Sequence, residues 1–125
     1  MLKLTYCLTR RERLTREAFQ TYWRETHAPL VEAARDALAI RRYVQVHTVS
    51  TALSGALDAA RPGLPIDDYD GVAELWWDDE ESLIAAMQSE AGRHHGTILA
   101  TDEAEFIDFS RSQLFWGRER EIAAA

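Results

Sequence analysis

Hydrophobic and polar residues alternate in several short stretches of the chain, and this pattern predicts most of its β-strands. From Leu2 to Thr9, leucine and tyrosine alternate with polar residues, which is the period of two expected for a half-buried strand. A similar alternation from Ile40 to Val49 and from Asp70 to Trp77 predicts the second and third strands. The fourth strand is predicted from Ser110 to Gly117.

The stretch FQTYWRETHAPL, residues 19–30, predicts an amphipathic helix with an aromatic inner face, within a longer helix running from Thr15 to about Leu38. At about 100° per residue, the inner face holds Phe19, Trp23, Thr26 and Leu30. His27 then lies at the edge of this face. Pro29 has no N–H group to donate to the preceding turn, so we expect the helix to kink or restart near His27.

The second half of the chain predicts one long loop and one further helix. Residues 50–70 are small, acidic or proline, which is typical of a loop, and a loop of this length is often a lid, a dimer arm or a mobile segment. A helix is predicted to follow a cap at Asp79 and to end before Gly92. We expect only a short segment from His94 to Ala100, then an acidic stretch from Asp102 to Asp108.

The predicted element order β-α-β-β-α-β indicates an α+β fold of the ferredoxin-like type, with a four-stranded antiparallel sheet and helices on one face. We expect a single domain over residues 1–125, with residues 50–70 as a long loop insertion. The other face of the sheet is predicted to be bare and apolar because of Val72 or Ala73 and the second tryptophan of the third strand. An exposed apolar sheet favours a two-fold homodimer that packs sheet on sheet.

Composition and charge restrict the class of partner. The chain has 21 acidic and 14 basic residues and a net charge of −7, so we expect no nucleic acid partner, and the cluster Arg10, Arg11, Arg13 and Arg16 is expected to form a solvated turn. No stretch is long and apolar enough for a membrane span, and the beginning of the sequence lacks the pattern of a signal peptide, so a soluble, cytoplasmic protein is expected.

His27 is the leading candidate for a catalytic residue. An imidazole can accept or donate a proton near neutral pH, and its place beside an apolar face suits a general acid or base. The alternative is a core histidine whose nitrogens are satisfied by Thr26, by a freed backbone carbonyl or by water. Further residues could bind a substrate through hydroxyl, amide, imidazole or indole groups. The residues in this group are Tyr6, Tyr22, Trp23, Tyr43, Gln45, His47 and Trp76.

Each member of this group also has a simpler interpretation. Tyr43, Gln45 and His47 share one face of the second strand, which either lines a wet pocket or meets solvent. The tryptophans would form a flat wall for an aromatic ligand, but core packing also explains them. His94 and His95 diverge by about 100° on a helix and are expected to be a surface pair, so no metal site is predicted. No glycine-rich phosphate loop or haem signature is present, and no cofactor is expected.

Four motifs together resemble the EthD family of dimeric α+β barrel proteins. They are FxxYWxxxHAPL at residues 19–30, RRYVQVH at 41–47, YDGVAELWW at 69–77 and DEAEFIDFS at 102–110. The resemblance spans most of the chain and implies a ferredoxin-like dimer with a pocket in each subunit. The family is associated with bacterial catabolic gene clusters, including ether degradation, and similar barrels include muconolactone-type isomerases, anthrone decarboxylases and polyketide cyclases.

These observations predict a small cofactor-independent lyase or isomerase that moves protons on a hydrophobic carbonyl or phenolic molecule, with His27 as acid or base. One alternative is a non-catalytic binding protein that carries such a compound for a neighbouring oxidase. Another is a structural dimer without a pocket. Catalysis requires His27 to face a cavity together with a second polar group, whereas binding requires only apolar walls.

Overall fold

The computed structural model describes residues 1–125 as a four-stranded antiparallel sheet with helices packed on one face. The strands are β1 (Leu2–Leu8), β2 (Arg42–His47), β3 (Gly71–Trp77) and β4 (Gln113–Gly117). The α-helices are α1 (Arg16–Tyr22), α2 (Ala28–Ala34), α3 (Glu80–Gln88) and α4 (Glu90–Phe106). A π-helical turn, Trp23–His27, joins α1 to α2, and short 3₁₀ turns lie at Asp58–Ala60 and Phe109–Arg111.

The strands are ordered β2-β3-β1-β4, and every neighbouring pair is antiparallel. This is the order of the ferredoxin-like fold, so the predicted fold class is confirmed. The strand alternation determines which side chains meet the helices. On β1 these are Leu2, Leu4, Tyr6 and Leu8, and on β3 they are Ala73, Leu75 and Trp77, which form the floor of the hydrophobic core.

The first helix restarts where the sequence predicted that it would. Thr15 caps α1 by accepting a hydrogen bond from the Ala18 N–H at 3.1 Å. The N–H of Ala28 then reaches back five residues to the carbonyl of Trp23, which is the π pattern. Pro29 lies in the first turn of α2, where the absence of an N–H costs nothing.

The π turn shifts the inner face of the helix by one residue, which corrects the predicted face. Thr26 is exposed and Leu30 is only partly buried, whereas His27 and Val31 are buried at 5% exposure each. The prediction assumed a regular helix, in which His27 would lie at the edge of the apolar face. Because the π turn takes up an additional residue, His27 points fully inward.

The helix predicted to end before Gly92 is α3, which ends at Gln88, and the second correction concerns the segment that follows it. The Ser89 hydroxyl caps α4 by accepting from the Gly92 N–H at 2.9 Å. A side chain at position 92 would lie 1.7 Å from the carbonyl oxygen of Ala86, so the glycine allows α3 and α4 to meet closely. The stretches predicted as a short segment and an acidic stretch are therefore the middle and end of one 17-residue helix.

The sheet face that the helices leave open is not the apolar surface predicted from the sequence. Lys3 and Glu74 form an ion pair at 2.5 Å across this face. Trp76 lies between Lys3 and Arg42, whose charged groups are 4.7 and 4.6 Å from the centre of its ring. Val72 does face this side, but Ala73 faces the helices. The open face therefore mixes charged and apolar side chains.

Two arginines of the predicted turn, Arg10 and Arg16, bind the carboxylate of Asp70, whereas Arg11 and Arg13 are exposed as predicted. Asp70 is fully buried and accepts from the Arg10 N–H at 2.7 Å and from the Arg16 Nε at 2.9 Å. Burial alone would raise the pKa of Asp70, but the bonds from the two arginines outweigh it and lower the pKa. Arg11 and Arg13 donate to backbone carbonyls at the end of α4 and hold that end against β1.

Large hydrophobic side chains are exposed in several parts of the chain, among them the segment after β2 and the edge strand β4. Residues 50–70 contain only one short 3₁₀ turn and carry Leu53, Leu57, Leu64 and Ile66 at their surface. The edge strand β4 exposes Leu114, Phe115 and Trp116 to about half of their area, at 47%, 50% and 48%. None of the helices has the length and hydrophobicity needed to cross a membrane.

Candidate active site

An apolar cavity of about 200 Å³ lies between the helices and the sheet. Its polar and aromatic wall is formed by Tyr6, Trp23, His27, Tyr43, Trp77 and Glu103. The remaining lining residues are Leu4, Leu8, Val31, Leu38, Ile40, Ala73, Leu75, Leu99, Ile107 and Leu114. Of the residues predicted to bind substrate, the structure therefore brings Tyr6, Trp23 and Tyr43 together with His27.

His27 is held by a carboxylate from the far end of α4. Its Nδ1 is 2.7 Å from Oδ2 of Asp102, and the other oxygen of Asp102 accepts from the Tyr22 hydroxyl at 2.5 Å. A carboxylate can only accept, so the neutral imidazole carries its proton on Nδ1 and its lone pair on Nε2. Nε2 makes no hydrogen bond within the protein. Because every fully buried side-chain nitrogen has a hydrogen-bond partner, the unbonded Nε2 must have solvent-accessible surface.

The electrostatics of His27 favour the neutral form. Burial lowers the pKa of His27 below 6.5, and the hydrogen bond and charge of Asp102 offset only part of this effect. The ring packs beside Phe106, with the centres of the two rings 5.1 Å apart. The imidazole is therefore a base at neutral pH, oriented by Asp102 and surrounded by hydrocarbon.

Tyr22 does not line the cavity but takes part in this arrangement through Asp102. The hydrogen bond to Asp102, followed by burial, raises the pKa of Tyr22 to about 12. The hydroxyl therefore stays protonated and donates to the carboxylate throughout the physiological pH range. Tyr22 is a positioning residue for His27 rather than a group that contacts a ligand in the cavity.

Glu103 is the second carboxylate at the cavity, one residue after Asp102. Burial, and to a smaller extent the charge of Asp102, raise the pKa of Glu103 to about 7, although the Tyr6 hydroxyl favours its charged form. Burial and Glu103 together raise the pKa of Tyr6 as well. Near neutral pH, Glu103 is therefore divided between its protonated and ionised forms.

The polar face of β2 is a structural network behind the cavity wall. The Gln45 amide donates to the Tyr43 hydroxyl at 2.7 Å and to the carbonyl of Trp23 at 3.1 Å, and its oxygen is 2.8 Å from Nε2 of His47. The ring of His47 stacks on Trp23, with the ring centres 4.6 Å apart. Tyr43 reaches the cavity, whereas Gln45 and His47 fix the position of Trp23.

The structure corrects the assignment of Trp76 as a substrate-binding residue. Trp76 lies on the open face of the sheet, away from the cavity, where its indole donates to Glu119. Neighbouring residues of a strand point to opposite faces, and Trp77 shares the helix side with Ala73 and Leu75. Trp77 forms the indole wall instead, with its N–H bonded to the Leu38 carbonyl at 2.8 Å.

Asp102 and Glu103 are not among the predicted site residues, because Asp102 falls in the predicted acidic stretch. A helix predicted over that stretch would have identified them. Leu99, Glu103 and Phe106 recur at helical spacing, so the two acids interrupt an otherwise apolar stripe. The prediction of only a short segment from His94 to Ala100, followed by a separate acidic stretch, concealed this periodicity.

No group of three or more histidine, cysteine, aspartate or glutamate side chains is placed to hold a metal ion. His94 and His95 lie side by side on α4, with their ring centres 5.4 Å apart, and neither lines the cavity. They form the pair on the protein surface that the sequence indicated, with His94 exposed.

Comparison with solved structures shows the same fold in proteins of low sequence identity. An EthD family protein from Bacillus halodurans C-125 is 24% identical, with a TM-score of 0.62 over 96% of this chain and 99% of that chain. A dimeric protein of unknown function and ferredoxin-like fold from Bacteroides fragilis NCTC 9343 is 11% identical, with a TM-score of 0.57 over 94% of this chain and 95% of that chain.

A third structure of this fold is SnoaB, a cofactor-independent oxygenase from Streptomyces nogalater, which is 13% identical with a TM-score of 0.50 over 96% of this chain and 93% of that chain. A search among curated proteins finds no match. The model of the EthD domain matches residues 11–110, which include the π turn, His27, Asp102 and Glu103. The chain therefore belongs to the EthD family, as its motifs indicated.

Proposed function

We propose that this protein is a small enzyme that transfers protons on a hydrophobic molecule containing a carbonyl or phenol group, with His27 as the general base. The observation that carries this proposal is the pairing of His27 Nδ1 with Asp102 beside an apolar cavity, which leaves Nε2 unbonded. Removal of a proton next to a carbonyl is the chemistry that a neutral, oriented imidazole performs best near neutral pH.

The cavity walls support binding of the hydrophobic part of such a molecule. Trp23 and Trp77 provide flat apolar surfaces on the helix and the sheet, and aliphatic side chains fill the space between them. Closing such a site excludes water, which strengthens the electrostatic interactions of His27 with a bound carbonyl group. The reaction type that fits this arrangement is a lyase or isomerase step.

The proposed reaction requires only side chains and the substrate, so we propose that it is independent of cofactors. A base and a proton donor are sufficient to form and reprotonate an enol. The description of SnoaB as a cofactor-independent oxygenase is consistent with cofactor-free chemistry on this fold, although its reaction differs from the one proposed here.

We also propose that the protein acts as a homodimer in which a second copy covers β4. Leu114, Phe115 and Trp116 form an exposed apolar strip along an edge strand, which natural monomers avoid, with Leu114 and Trp116 on the helix side and Phe115 on the open face. Leu114 also lines the cavity, so a partner on this strip would border the cavity opening. The Bacteroides fragilis neighbour is described as dimeric, which is consistent with a homodimer on this fold.

Exchange of the methyl protons of acetophenone with deuterated water, followed by proton NMR, tests the proposed catalysis. Acetophenone has one ring and one carbonyl group, and exchange requires only removal and return of a proton at the adjacent carbon. We expect the protein to accelerate exchange and His27→Gln to lower the acceleration by about 10²-fold or more, since a general base contributes roughly 10²–10⁴-fold. Asp102→Asn should lower it at least about tenfold, because the proton on Nδ1 is no longer fixed.

His94→Gln is the matched control, because His94 is exposed on α4 and lies outside the cavity. Its exchange rate should equal that of the unmodified protein. Binding of acetophenone without accelerated exchange would instead indicate the carrier function. Equal exchange in His27→Gln and the unmodified protein would rule out His27 as the base.

A further inference from the structure

The cavity contains a second titratable pair besides His27 and Asp102. Glu103 enters it from α4 and Tyr6 from β1, so that both side chains line the same cavity. Neither group belongs to the pair that orients His27, because Asp102 and Glu103 are adjacent on the helix and point about 100° apart. Glu103 is only partly exposed and has no cation beside it, which makes its ionised form costly and makes it a candidate functional group.

The lining of the cavity restricts the charge of its ligand. No lysine or arginine lines it, so a carboxylate or phosphate on the ligand would find no counter-ion. An anion would also meet Glu103. The ligand that fits this lining is uncharged, with a single polar group that can accept a hydrogen bond.

The volume of the cavity restricts the size of its ligand. A dry protein cavity of about 150 Å³ binds benzene, whereas pockets for drug-sized ligands measure about 300–1,000 Å³. At about 200 Å³ the cavity accommodates one six-membered ring with two or three further heavy atoms. A polycyclic ligand exceeds this space.

We propose that Glu103 is a second catalytic residue, which donates a proton to the carbonyl oxygen of an uncharged, single-ring ketone while His27 removes a proton from the adjacent carbon. This inference rests on the proposed function and assigns the acid that accompanies its base. Tyr6 lines the same cavity, stays neutral and does not exchange a proton with the ligand.

The step is balanced without any further reactant. Nε2 of His27 takes the proton of the carbon next to the carbonyl, and the electron pair of that C–H bond forms the C=C bond of the enol. The carbonyl π pair moves onto oxygen, which takes the proton of Glu103. The imidazolium delivers its proton to a conjugated carbon, which gives isomerisation, or it exchanges that proton with solvent and returns a deuteron to the same carbon, which gives exchange in deuterated water. The enol proton returns to Glu103 in both cases.

The pH dependence follows from the groups that face Glu103. They are Tyr6 from β1, Tyr43 from β2, His27 from the π turn and Asp102 from its own helix. Both tyrosines stay neutral near pH 7, because their pKa values are raised. Activity should fall at acidic pH as His27 is protonated, and at alkaline pH as Glu103, with a pKa raised to about 7, loses its proton.

Glu103→Gln tests this role in the acetophenone exchange assay. The amide can donate a hydrogen bond but cannot transfer a proton, so we expect the exchange rate to fall by about 10²-fold. The alkaline limb of the pH–rate profile, which is the decrease in rate above about pH 7, should disappear. Glu105→Gln is the matched control, since Glu105 is exposed on the same helix, and it should retain both the rate and the limb. An unchanged rate and limb in Glu103→Gln would overturn the proposal while leaving His27 as the base.

A second measurement decides the proposal even if acetophenone is not turned over. Carbon NMR of protein with labelled glutamate side chains follows the titration of Glu103, which is assigned by its loss in Glu103→Gln. Saturating acetophenone should raise the titration midpoint, because the ligand carbonyl accepts a bond only from the protonated acid. Benzoate, an anion of similar size, should bind more weakly. An unchanged midpoint with bound acetophenone, no binding of acetophenone, or tighter binding of benzoate would each overturn the proposal.

Discussion

Two adjacent carboxyl groups at the end of α4 occupy different environments, and this difference separates their roles. Asp102 accepts from two side chains, Tyr22 and His27, and serves as an acceptor for His27. Glu103 faces the apolar cavity, and burial raises its pKa to about 7. Active sites commonly place neighbouring titratable groups in different environments, so that each group has a different role in proton transfer.

The raised pKa of Glu103 predicts a stability difference that depends on pH. The unfolded chain loses this proton near pH 4.5 and the folded protein near pH 7, so the contribution of Glu103 to stability is present below pH 4.5 and lost as the pH rises to about 7. In Glu103→Gln no carboxyl group ionises at this position, so this decrease in stability does not occur. We expect the variant to be more stable than the unmodified protein by roughly 1–3 kcal/mol at about pH 8, since one pKa unit corresponds to about 1.4 kcal/mol.

Urea unfolding at about pH 4.5 and about pH 8 measures this difference. The stability change caused by the lowered pKa of His27 cancels, because both proteins keep that residue. Glu105→Gln provides the comparison for an exposed glutamate of the same helix and should show no such dependence. A less stable Glu103→Gln at alkaline pH would mean that the carboxylate is a stabilising structural group.

At the scale of the element, the packing of α1 and its π turn on β3 depends on a glycine. A side chain at Gly71 would lie 2.4 Å from the ring of Trp23, which therefore rests directly on the strand backbone. Gly71→Ala should displace the indole from the cavity wall, lower the free energy of unfolding by roughly 1–3 kcal/mol and weaken acetophenone binding. Chemical denaturation and NMR titration with acetophenone measure the two effects.

Gly96→Ala is the comparison for Gly71→Ala, because a side chain at position 96 of α4 meets no atom within 4 Å. Alanine is favoured over glycine within a helix by about 1 kcal/mol, so this variant should be as stable as the unmodified protein or more stable. If Gly71→Ala behaved in the same way, the close contact between Trp23 and β3 would not limit the fold.

The strands and the first helix were predictable because their signals are local. The alternation in β1 and β3 placed their apolar side chains, and Thr15 and Pro29 marked the start and the restart of the first helix. The extent of α4 was not predictable in the same way. Gly92 is usually a stop signal, but here it permits contact with the Ala86 carbonyl, which only the folded chain brings close.

The residues of the candidate site were likewise predictable only where their signal in the sequence is local. His27 was predictable from the aromatic and proline residues around it, because these lie within one helix. Its partner Asp102 is 75 residues away in the sequence, and no local pattern joins them. Alternation alone places Trp76 and Trp77 on opposite faces of β3, but only the folded chain shows that the face of Trp77 is the one that meets the helices.

At the scale of the whole molecule, the exposed strip on β4 predicts how two copies meet. Phe115 is half exposed on the edge strand and lines no part of the cavity. Phe115→Lys places a charge on the strip, and charged residues on edge strands prevent pairing with another chain. We expect the unmodified protein to be a dimer by light scattering after gel filtration, and Phe115→Lys to shift it to a monomer at micromolar concentration.

Leu53→Lys distinguishes the other exposed apolar region, the loop at residues 50–70. Leu53 is 78% exposed, and its substitution should leave the dimer intact. Loss of the dimer in Leu53→Lys alone would place the interface in the loop. A monomeric unmodified protein would contradict the proposed homodimer.

The π turn between Trp23 and His27 is one residue longer than the α-helical path between the same ends. Phe19 and Val31 are twelve positions apart, which would separate them by about 120° around a regular helix, yet both are buried against the same sheet because the turn absorbs one position. Removing one residue between Trp23 and His27 would rotate the following helix by about 100° relative to the sheet. The length of this turn, as well as the identity of residue 27, therefore determines that an imidazole points inward.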